Sequence, residues 1–275
     1  PTAFQVAVQR KDVRKHPEYQ ALRQFMILMN DAGEITRQEL VSMLPALLLA
    51  PARGATVLDV CAAPGSKTSQ LIEAVGPDGC VFANDADKQR AYLLSHQTRR
   101  ITSPQVVIAT NYAQDLPFRS VFDAVLCDVP CSGDGTVRKN HTARTKFTVM
   151  NAYTLHREQL VILRAALAAA KPGAPDVYST CSMNPVEDEA VIQAALTLSE
   201  GAVRLVDARS MLPGLQFTPG LSHWTVYDRE MHPVEGHHQN IPDTAFPCAD
   251  NADLHLEYTL RMLPHLMDSG GFYVA

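Results

Sequence analysis

The sequence predicts an α/β fold built on a doubly wound, mostly parallel sheet. Short β-branched apolar runs alternate with longer stretches whose apolar residues recur at helical spacing, as in successive βαβ units. The first run, Thr56–Val60, is too short for a helix and leads into small residues that end in Pro64-Gly65. A helical pattern over Thr68–Ala74 follows directly. A strand, a tight turn and a helix therefore open the sheet.

The composition is that of a globular chain with a large core. Its 275 residues are 46% hydrophobic, no apolar run reaches membrane-spanning length, and we expect no signal peptide. Six cysteines are scattered without the spacing of a disulfide framework, which favours reduced thiols in an intracellular protein. The net charge of −5 does not by itself favour nucleic-acid binding.

A helical segment precedes the first strand. Residues 1–49 are predicted to be largely helical, and their last helix is expected over Glu34–Leu49 with Thr36 as its cap. We therefore expect a helical N-terminal appendage over residues 1–50 and an α/β domain over residues 51–275.

The alternation continues to the end of the chain. Further strands are predicted over Val81–Asn84, Val106–Thr110, Ala124–Asp128, Val177–Thr180, Val203–Val206 and Gly271–Val274. Helices are predicted over Asp87–Arg100 with Asp87 as cap, over Tyr153–Ala170, and from Asn184-Pro185 through Leu198. Residues Ser210–Asn251 are rich in Pro, Gly and His and are expected to form loops and a short irregular insertion.

The turn after the first strand predicts a nucleoside ligand with a carboxylate tail. It lacks the G-x-G-x-x-G pattern, and Gly65-Ser66-Lys67-Thr68 lacks the earlier glycine of a phosphate loop. The helix N-terminus still offers free N–H groups to an anion. Asp85 ends the second strand, where an acid hydrogen-bonds a ribose diol, and the alternative is a carboxylate at a helix entry. Asp59 is expected to hold the backbone of the turn.

Two cysteine-bearing loops follow the fourth and fifth strands. Such strands usually lie side by side, about 5 Å apart, so Cys131 and Cys181 are expected to face each other beside Asp128. Cys181 also precedes a predicted helix start, where the positive end of the helix dipole favours the thiolate. The alternative is that these are small buried residues, and it is favoured for Cys127 because that residue lies within a strand.

Several basic residues follow the first of the two cysteine-bearing loops. The loop 130–136 is succeeded by Arg138, Lys139, His141, Arg144 and Lys146, and Arg99, Arg100 and the segment Arg10–His16 are basic as well. These residues form either a basic rim or an ordinary solvated surface, and the sequence leaves both readings open. No metal site is predicted, because Cys127 and Cys131 have no partner pair and His237-His238 has no third ligand at a suitable spacing.

Four stretches resemble the RNA cytosine-5 methyltransferases of the Nol/Nop/Sun family. They are D-V-C-A-A-P-G-S-K-T at 59–68, A-N-D at 83–85, C-D-V-P-C-S-G-D-G-T at 127–136 and Y-S-T-C-S-M-N-P-V-E-D-E-A-V-I at 178–192. The likeness covers nearly the whole chain and is greatest to the multisite tRNA enzymes of that family. It implies a Rossmann-like methyltransferase domain, S-adenosyl-L-methionine as cofactor, tRNA as substrate and 5-methylcytosine as product. A nuclear or nucleolar location is implied by the resemblance alone, and no obligate protein partner is evident.

The resemblance also implies roles for single residues. Cys181 is the nucleophile that adds to C6 of cytosine, because C5 becomes reactive only once a thiolate has made it enamine-like. Asp128 hydrogen-bonds the base at N3 and the exocyclic amine, and Cys131 helps to release the product. The target base is expected to be flipped out of its stack. The residues expected at the cofactor are Cys61, Ala62, Ala63, Pro64, Gly65, Ser66, Lys67, Asp85, Tyr112 and Asp128.

The sequence departs from the family pattern in three places. Tyr112 stands where an aspartate usually contacts adenine, and is expected to hydrogen-bond or stack there instead. Residues 141–150 lack the expected tryptophans, which predicts a different choice of substrate. The multisite enzymes usually continue past the last strand, so a basic C-terminal tail is expected. The alternatives are an RNA-binding or scaffold protein with an impaired methyltransferase fold, and the same chemistry on rRNA or mRNA.

Overall fold

The computed structural model describes residue 4, residue 8 and residues 10–101, 105–248 and 252–275. In these residues the α-helices are α1 (Arg10–Lys15), α2 (Gln20–Asp31), α3 (Leu40–Leu49), α4 (Ser66–Val75), α5 (Lys88–Thr98), α6 (Thr142–Lys146), α7 (Val149–Ala169), α8 (Glu189–Leu198) and α9 (Pro264–Met267). The strands are β1 (Thr56–Asp59), β2 (Cys80–Asn84), β3 (Val106–Ala109), β4 (Ala124–Asp128), β5 (Asp176–Thr180), β6 (Thr218–Pro219), β7 (Val226–Tyr227), β8 (Pro233–Val234), β9 (Leu260–Met262) and β10 (Phe272–Val274). No helix in this part of the chain is long and apolar enough to cross a membrane.

The main sheet has the strand order β3-β2-β1-β4-β5-β10-β9-β6, and β7 pairs with β8 apart from it. The strands β1 to β5 pair in parallel. The strands β10, β9 and β6 pair antiparallel at one edge. The predicted doubly wound, mostly parallel sheet is confirmed, and so is the pairing of the fourth and fifth strands. Because the strand order reverses between β1 and β4, their carboxyl ends flank a crevice of the kind in which such folds bind ligands.

The central strands bury side chains on both faces, as parallel strands between helices do. Leu58 and Val125 belong to a core cluster with residues of α7 and α8. Their neighbours Val57 and Leu126 point to the opposite face and belong to a second cluster with residues of α3 and α4.

The helix α3 lies within the predicted N-terminal appendage and packs against the sheet. Its Val41, Leu44 and Leu49 are at most 3% exposed and share a cluster with the central strands. The preceding helix α2 has no buried residue and leaves Phe25 and Leu28 exposed. The division of the chain at residue 50 stays a prediction.

Three predicted helix starts are wrong, and one of them is that of the helix expected from Tyr153, which begins four residues earlier at Val149. The helix expected over Glu34–Leu49 begins only at Leu40, so Glu39 and not Thr36 precedes its first turn. The helix expected from Asn184-Pro185 begins at Glu189.

Side-chain hydrogen bonds account for the later start of α8. Asn184 Oδ1 accepts from the N–H of Val186, and Asp188 Oδ1 accepts from Thr180 Oγ at the end of β5. The first bond gives the backbone an alternative to the helix, and the second holds the side chain of Asp188 against the end of β5.

The strand predicted over Val203–Val206 is wrong, since these residues form no regular structure. The place beside β5 is taken by β10, which pairs antiparallel with it. Val203 and Leu205 pack against the core from outside the sheet, and Val206 is 69% exposed. The apolar residues of this segment therefore pack against the core without pairing as a strand. The short strand β9 was not predicted, and neither were the two-residue strands β6, β7 and β8, which lie within the predicted loop region Ser210–Asn251.

Candidate active site

The turn between β1 and α4 places the first group of predicted residues. Gly65 has φ of +107°, in the left-handed region that favours glycine, and a Cβ there would lie 3.0 Å from the side chain of Leu94. Asp59 Oδ2 accepts a hydrogen bond from Thr68 Oγ at 2.7 Å, so the carboxyl group ties β1 to α4. Burial raises the pKa of Asp59 to about 7.

A cavity of about 480 Å³ lies beyond the carboxyl ends of β1 to β4. Its lining includes Val60, Cys61, Asn84, Asp85, Asp87, Arg90, Asn111, Tyr112, Pro130 and Arg157. The volume is in the range of small-molecule sites. Asp85 is buried, and its Oδ2 accepts from the N–H of Ala63 at 3.1 Å and lies 3.4 Å from Arg90 Nη2. One carboxylate therefore joins the turn after β1 to the end of β2.

The structure divides the predicted cofactor residues between two places. Cys61, Asp85 and Tyr112 line this cavity, with Tyr112 63% exposed, while Lys67 and Asp128 line another one. The remaining residues form the turn: Ala62, Ala63 and Gly65 are buried, Ser66 is half-buried and Pro64 is exposed.

The other cavity, of about 130 Å³, lies at the end of β4. Its lining includes Glu39, Lys67, Asp128, Thr136, Lys139, Cys181 and Phe272. Lys67 Nζ donates to Asp128 Oδ2 at 2.7 Å, and Ser179 Oγ donates to Asp128 Oδ1 at 2.6 Å. Both oxygens of Asp128 are therefore held in position at the cavity wall.

The two predicted cysteines meet beside this cavity. Cys131 Sγ and Cys181 Sγ are 3.4 Å apart and share a hydrogen bond. The hydrogen bond from Cys131 lowers the pKa of Cys181, whereas the same bond and burial raise the pKa of Cys131 well above its usual value. Cys181 is therefore the sulfur that ionises first.

The cause of that ionisation differs from the prediction. Because α8 begins at Glu189, Cys181 does not precede a helix N-terminus, and the helix-dipole argument is wrong. Cys127 is fully buried within β4, and burial raises its pKa, in agreement with its reading as a buried small residue. Within the described ranges, no group of three or more His, Cys, Asp or Glu side chains could hold a metal ion.

The predicted basic residues differ in position. Lys139 lines the smaller cavity and forms an ion pair with Glu39. Arg138 pairs with Asp268, and Arg100 donates to the carbonyl of Asn30. The side chains of Arg10 and Arg144 lie outside the described residues.

Sequence reasoning missed four polar residues at the site: Glu39, Asp134, Ser182 and Glu187. The signal for three of them was present, because Asp134 follows Cys131 closely, and Ser182 and Glu187 follow Cys181. Glu39 is 89 positions or more from any other lining residue except its near neighbours and Lys67, so only the packing of α3 brings it to the cavity.

Comparison with known proteins gives consistent matches along the chain. A family model described as 16S rRNA methyltransferase RsmB/F matches residues 46–275. A tRNA (cytosine(34)-C(5))-methyltransferase of Drosophila melanogaster is 40% identical over 302 aligned positions, which cover 99% of this chain and 40% of that protein. A multisite-specific tRNA:(cytosine-C(5))-methyltransferase of Saccharomyces cerevisiae is 39% identical, covering 99% of this chain and 42% of that protein.

A solved structure of a methyltransferase homolog protein from Pyrococcus horikoshii is 26% identical with a TM-score of 0.67, covering 98% of this chain and 71% of that one. The chain spans about two fifths of the length of the two curated relatives.

Proposed function

Because the chain belongs to the methyltransferase family described as 16S rRNA methyltransferase RsmB/F, we propose that it methylates C5 of cytosine in RNA with S-adenosylmethionine as donor. The names of the two relatives that cover 99% of the chain support tRNA as the substrate. The observation that carries the chemistry is the pair of sulfur atoms of Cys131 and Cys181, 3.4 Å apart beside Asp128.

The proposed reaction begins at Cys181. Its thiolate adds to C6 of the flipped-out cytosine, and the new C6–S bond turns C5 into an enamine-type nucleophile. Asp128, held by Lys67 and Ser179, contacts the N3 and amine edge of the base, where charge develops. After C5 has taken the methyl group, a base removes the C5 proton and the C6–S bond breaks. Cys131 is proposed to assist this release.

The larger cavity fits the proposed cofactor. S-adenosylmethionine supplies an electrophilic methyl group when it is bound. The carboxylate of Asp85 suits the ribose hydroxyls, and the exposed ring of Tyr112 suits the adenine. Because Pro130 lines this cavity and Asp128 lines the smaller one, both cavities adjoin the end of β4. This proximity is what a direct transfer between two bound molecules needs.

An rRNA substrate is the second candidate, and the description of the matching family model favours it. A scaffold protein with impaired catalysis is disfavoured by the thiol pair, because binding alone does not require two sulfur atoms 3.4 Å apart beside Asp128. A nuclear or nucleolar location stays a prediction.

Bisulfite sequencing of total RNA from cells with and without the protein tests the proposed function. We expect 5-methylcytosine at discrete tRNA positions to depend on the protein and to disappear in Cys181→Ala. The exposed Cys248→Ala is the matched control and is expected to keep the modification. Normal methylation by Cys181→Ala would contradict the proposed nucleophile, and protein-dependent sites confined to rRNA would replace tRNA as the substrate.

A further inference from the structure

The two cysteine-bearing loops are joined beyond the end of the sheet. The β4–β5 ladder pairs Asp128 with Ser179, and the N–H of Val129 donates to the carbonyl of Ser179. Past this point the strands no longer set the distance between Cys131 and Cys181. Other contacts must hold their sulfur atoms 3.4 Å apart.

Asp134 connects the residues that follow each cysteine. Its Oδ1 accepts from Ser132 Oγ at 3.0 Å and from Ser182 Oγ at 2.6 Å, and its carboxylate also accepts from the N–H of Met183. The loops approach so closely at Gly135 that a Cβ there would lie 2.7 Å from the carbonyl oxygen of Cys181. One carboxylate thus spans both loops.

Glu187 makes a second connection between the two cysteine-bearing loops. It is fully buried, and its Oε2 accepts from the N–H of Ser132 at 2.8 Å and from Gln159 Nε2 at 3.2 Å. Its Oε1 lies 3.2 Å from Ser182 Oγ. Ser132, Asp134, Ser182 and Glu187 therefore form one network, which we call the two-carboxylate network.

The count of protons in this network indicates which carboxyl group is neutral. Ser182 has a single hydroxyl proton, and its oxygen lies 2.6 Å from Asp134 but 3.2 Å from Glu187. The shorter contact takes that proton, so the longer one is a hydrogen bond only when Glu187 carries its own proton. Burial is the largest effect on Glu187 and raises the pKa of its carboxyl group, while the hydrogen bonds from Ser132 and Gln159 lower it.

We propose that Asp134 and a neutral Glu187 are positioning residues that hold Cys131 against Cys181 and so keep Cys181 the reactive thiolate. The inference rests on the proposed function, because it concerns which of the two thiols is ionised in the proposed reaction. Neither residue contacts the substrate in this role. Both act through the S–H···S contact.

The pH at which Cys181 ionises tests whether Asp134 and Glu187 hold Cys131 against it. The groups that act on it are Cys131 from the loop after β4, Asp128 from β4, Lys67 from α4 and Lys139 from the loop before α6. The two-carboxylate network contacts the residue after each cysteine, Ser132 and Ser182, and so sets the distance between the two sulfur atoms. Separating the sulfur atoms removes the hydrogen bond that lowers the pKa of Cys181, so its thiolate should form at higher pH.

The experiment measures the rate of iodoacetamide alkylation of Cys181 against pH in the full chain, without RNA or cofactor. The tryptic peptide 165–204 contains Cys181 and no other cysteine, so mass spectrometry isolates its signal. We expect Asp134→Asn and Glu187→Ala to move the alkylation midpoint by about one pH unit or more toward alkaline pH. Glu187→Gln should stay close to the wild-type midpoint, since a neutral amide replaces a neutral acid.

The matched control is Asp123→Asn at the opposite end of β4, where the carboxylate accepts from Thr56 and Lys171. This variant also loses a hydrogen-bonded carboxylate, but at the end of β4 away from the two thiols, and should keep the wild-type midpoint. Asp134→Asn with a lower melting temperature but an unchanged midpoint would overturn the inference, as would Glu187→Gln behaving like Glu187→Ala. If Asp134→Asn fails to fold, Ser182→Ala gives the same readout. Because this assay needs no RNA, failure of the proposed function would show separately as absent methylation by the wild-type chain.

Discussion

At the scale of single residues, Cys131 and Cys181 share one hydrogen bond between two sulfur atoms. The bond lowers the pKa of one thiol and raises that of the other, although the two loops are alike in composition. The hydrogen bond from Cys131 is the largest effect on the pKa of Cys181, and Lys67 and Lys139 lower that pKa further. The surroundings of each thiol therefore distinguish the two cysteines, although their residue type is the same.

Replacing Cys131 by Ala should trap the covalent protein–RNA adduct. Release is slowed, and the adduct accumulates as a band of reduced mobility on a denaturing gel. Its rate of formation should rise with pH, because Cys181 has lost the hydrogen bond that lowers its pKa. The double variant that also carries Cys181→Ala is the control and should give no band. A fully active Cys131→Ala enzyme without adduct would remove Cys131 from the release step.

Tyr112 offers a test of the cofactor cavity. An aspartate in its place would accept a hydrogen bond from the adenine amine, so Tyr112→Asp should tighten cofactor binding about fivefold. Isothermal titration with S-adenosylhomocysteine measures this affinity, and Tyr112→Phe serves as the control. Equal affinity in wild type and Tyr112→Asp would mean that the tyrosine already satisfies the adenine.

At the scale of elements, α7 joins the sheet to the loops behind both cysteines. Gln159 donates to the carbonyl of Pro130 and to Glu187 Oε2. One turn earlier, His156 Nδ1 lies 2.7 Å from the carbonyl of Val186, and its Nε2 lies 2.8 Å from Thr244 Oγ. Because a carbonyl only accepts, Nδ1 carries the proton and Nε2 accepts from Thr244.

The state of His156 predicts a loss of stability in acid. Burial lowers the pKa of His156 to about 4, below its usual value of 6.5, so the unfolded chain takes up the proton first and stability falls as pH drops from 6.5 toward 4. Between about pH 7 and about pH 4.5 this histidine should cost about 2–3 kcal/mol of unfolding free energy. Urea unfolding of wild type and His156→Gln at both pH values measures the difference.

The comparison with His156→Gln is needed because other groups titrate in the opposite direction. Burial raises the pKa of Asp59 to about 7 and that of Asp176 to about 8, so their contributions to stability are present in acid and are lost as pH rises through those values. The same pH dependence in both proteins would show that His156 does not titrate in this window.

At the scale of the whole molecule, a net charge of −5 makes local basic groups decisive for binding a polyanion. Lys139 is such a group, because it lies at the smaller cavity with a side chain 57% exposed and pairs with Glu39 from α3. RNA binding would exchange this carboxylate for a phosphate.

Lys139→Ala should therefore weaken RNA binding and reduce the slope of log affinity against log salt by about one. Fluorescence anisotropy with labelled tRNA across a salt series measures the slope. The control is Lys171→Ala, since Lys171 is also ion-paired and similarly exposed but lies at the amino end of β5. Equal slopes for wild type and Lys139→Ala would exclude a phosphate contact at this residue.

The sequence alone determined the parallel core of the sheet and the meeting of Cys131 with Cys181. Both follow from local patterns, because β-branched runs identify the strands and parallel neighbours end at the same edge. It did not determine the start of α8, the antiparallel β10 in place of Val203–Val206, or the approach of Glu39 to the cavity. Hydrogen bonds and packing between distant segments decided these features.

The order of the two thiols was decided in the same way. Two loops of similar residues follow adjacent strands, and nothing in their composition distinguishes donor from acceptor. Only the folded chain places Asp134 and Glu187 across both loops and surrounds one sulfur with lysines. The resemblance implied Cys181 as the nucleophile, and only the folded chain shows which groups lower the pKa of that thiol, because a pKa depends on groups that are far apart in sequence.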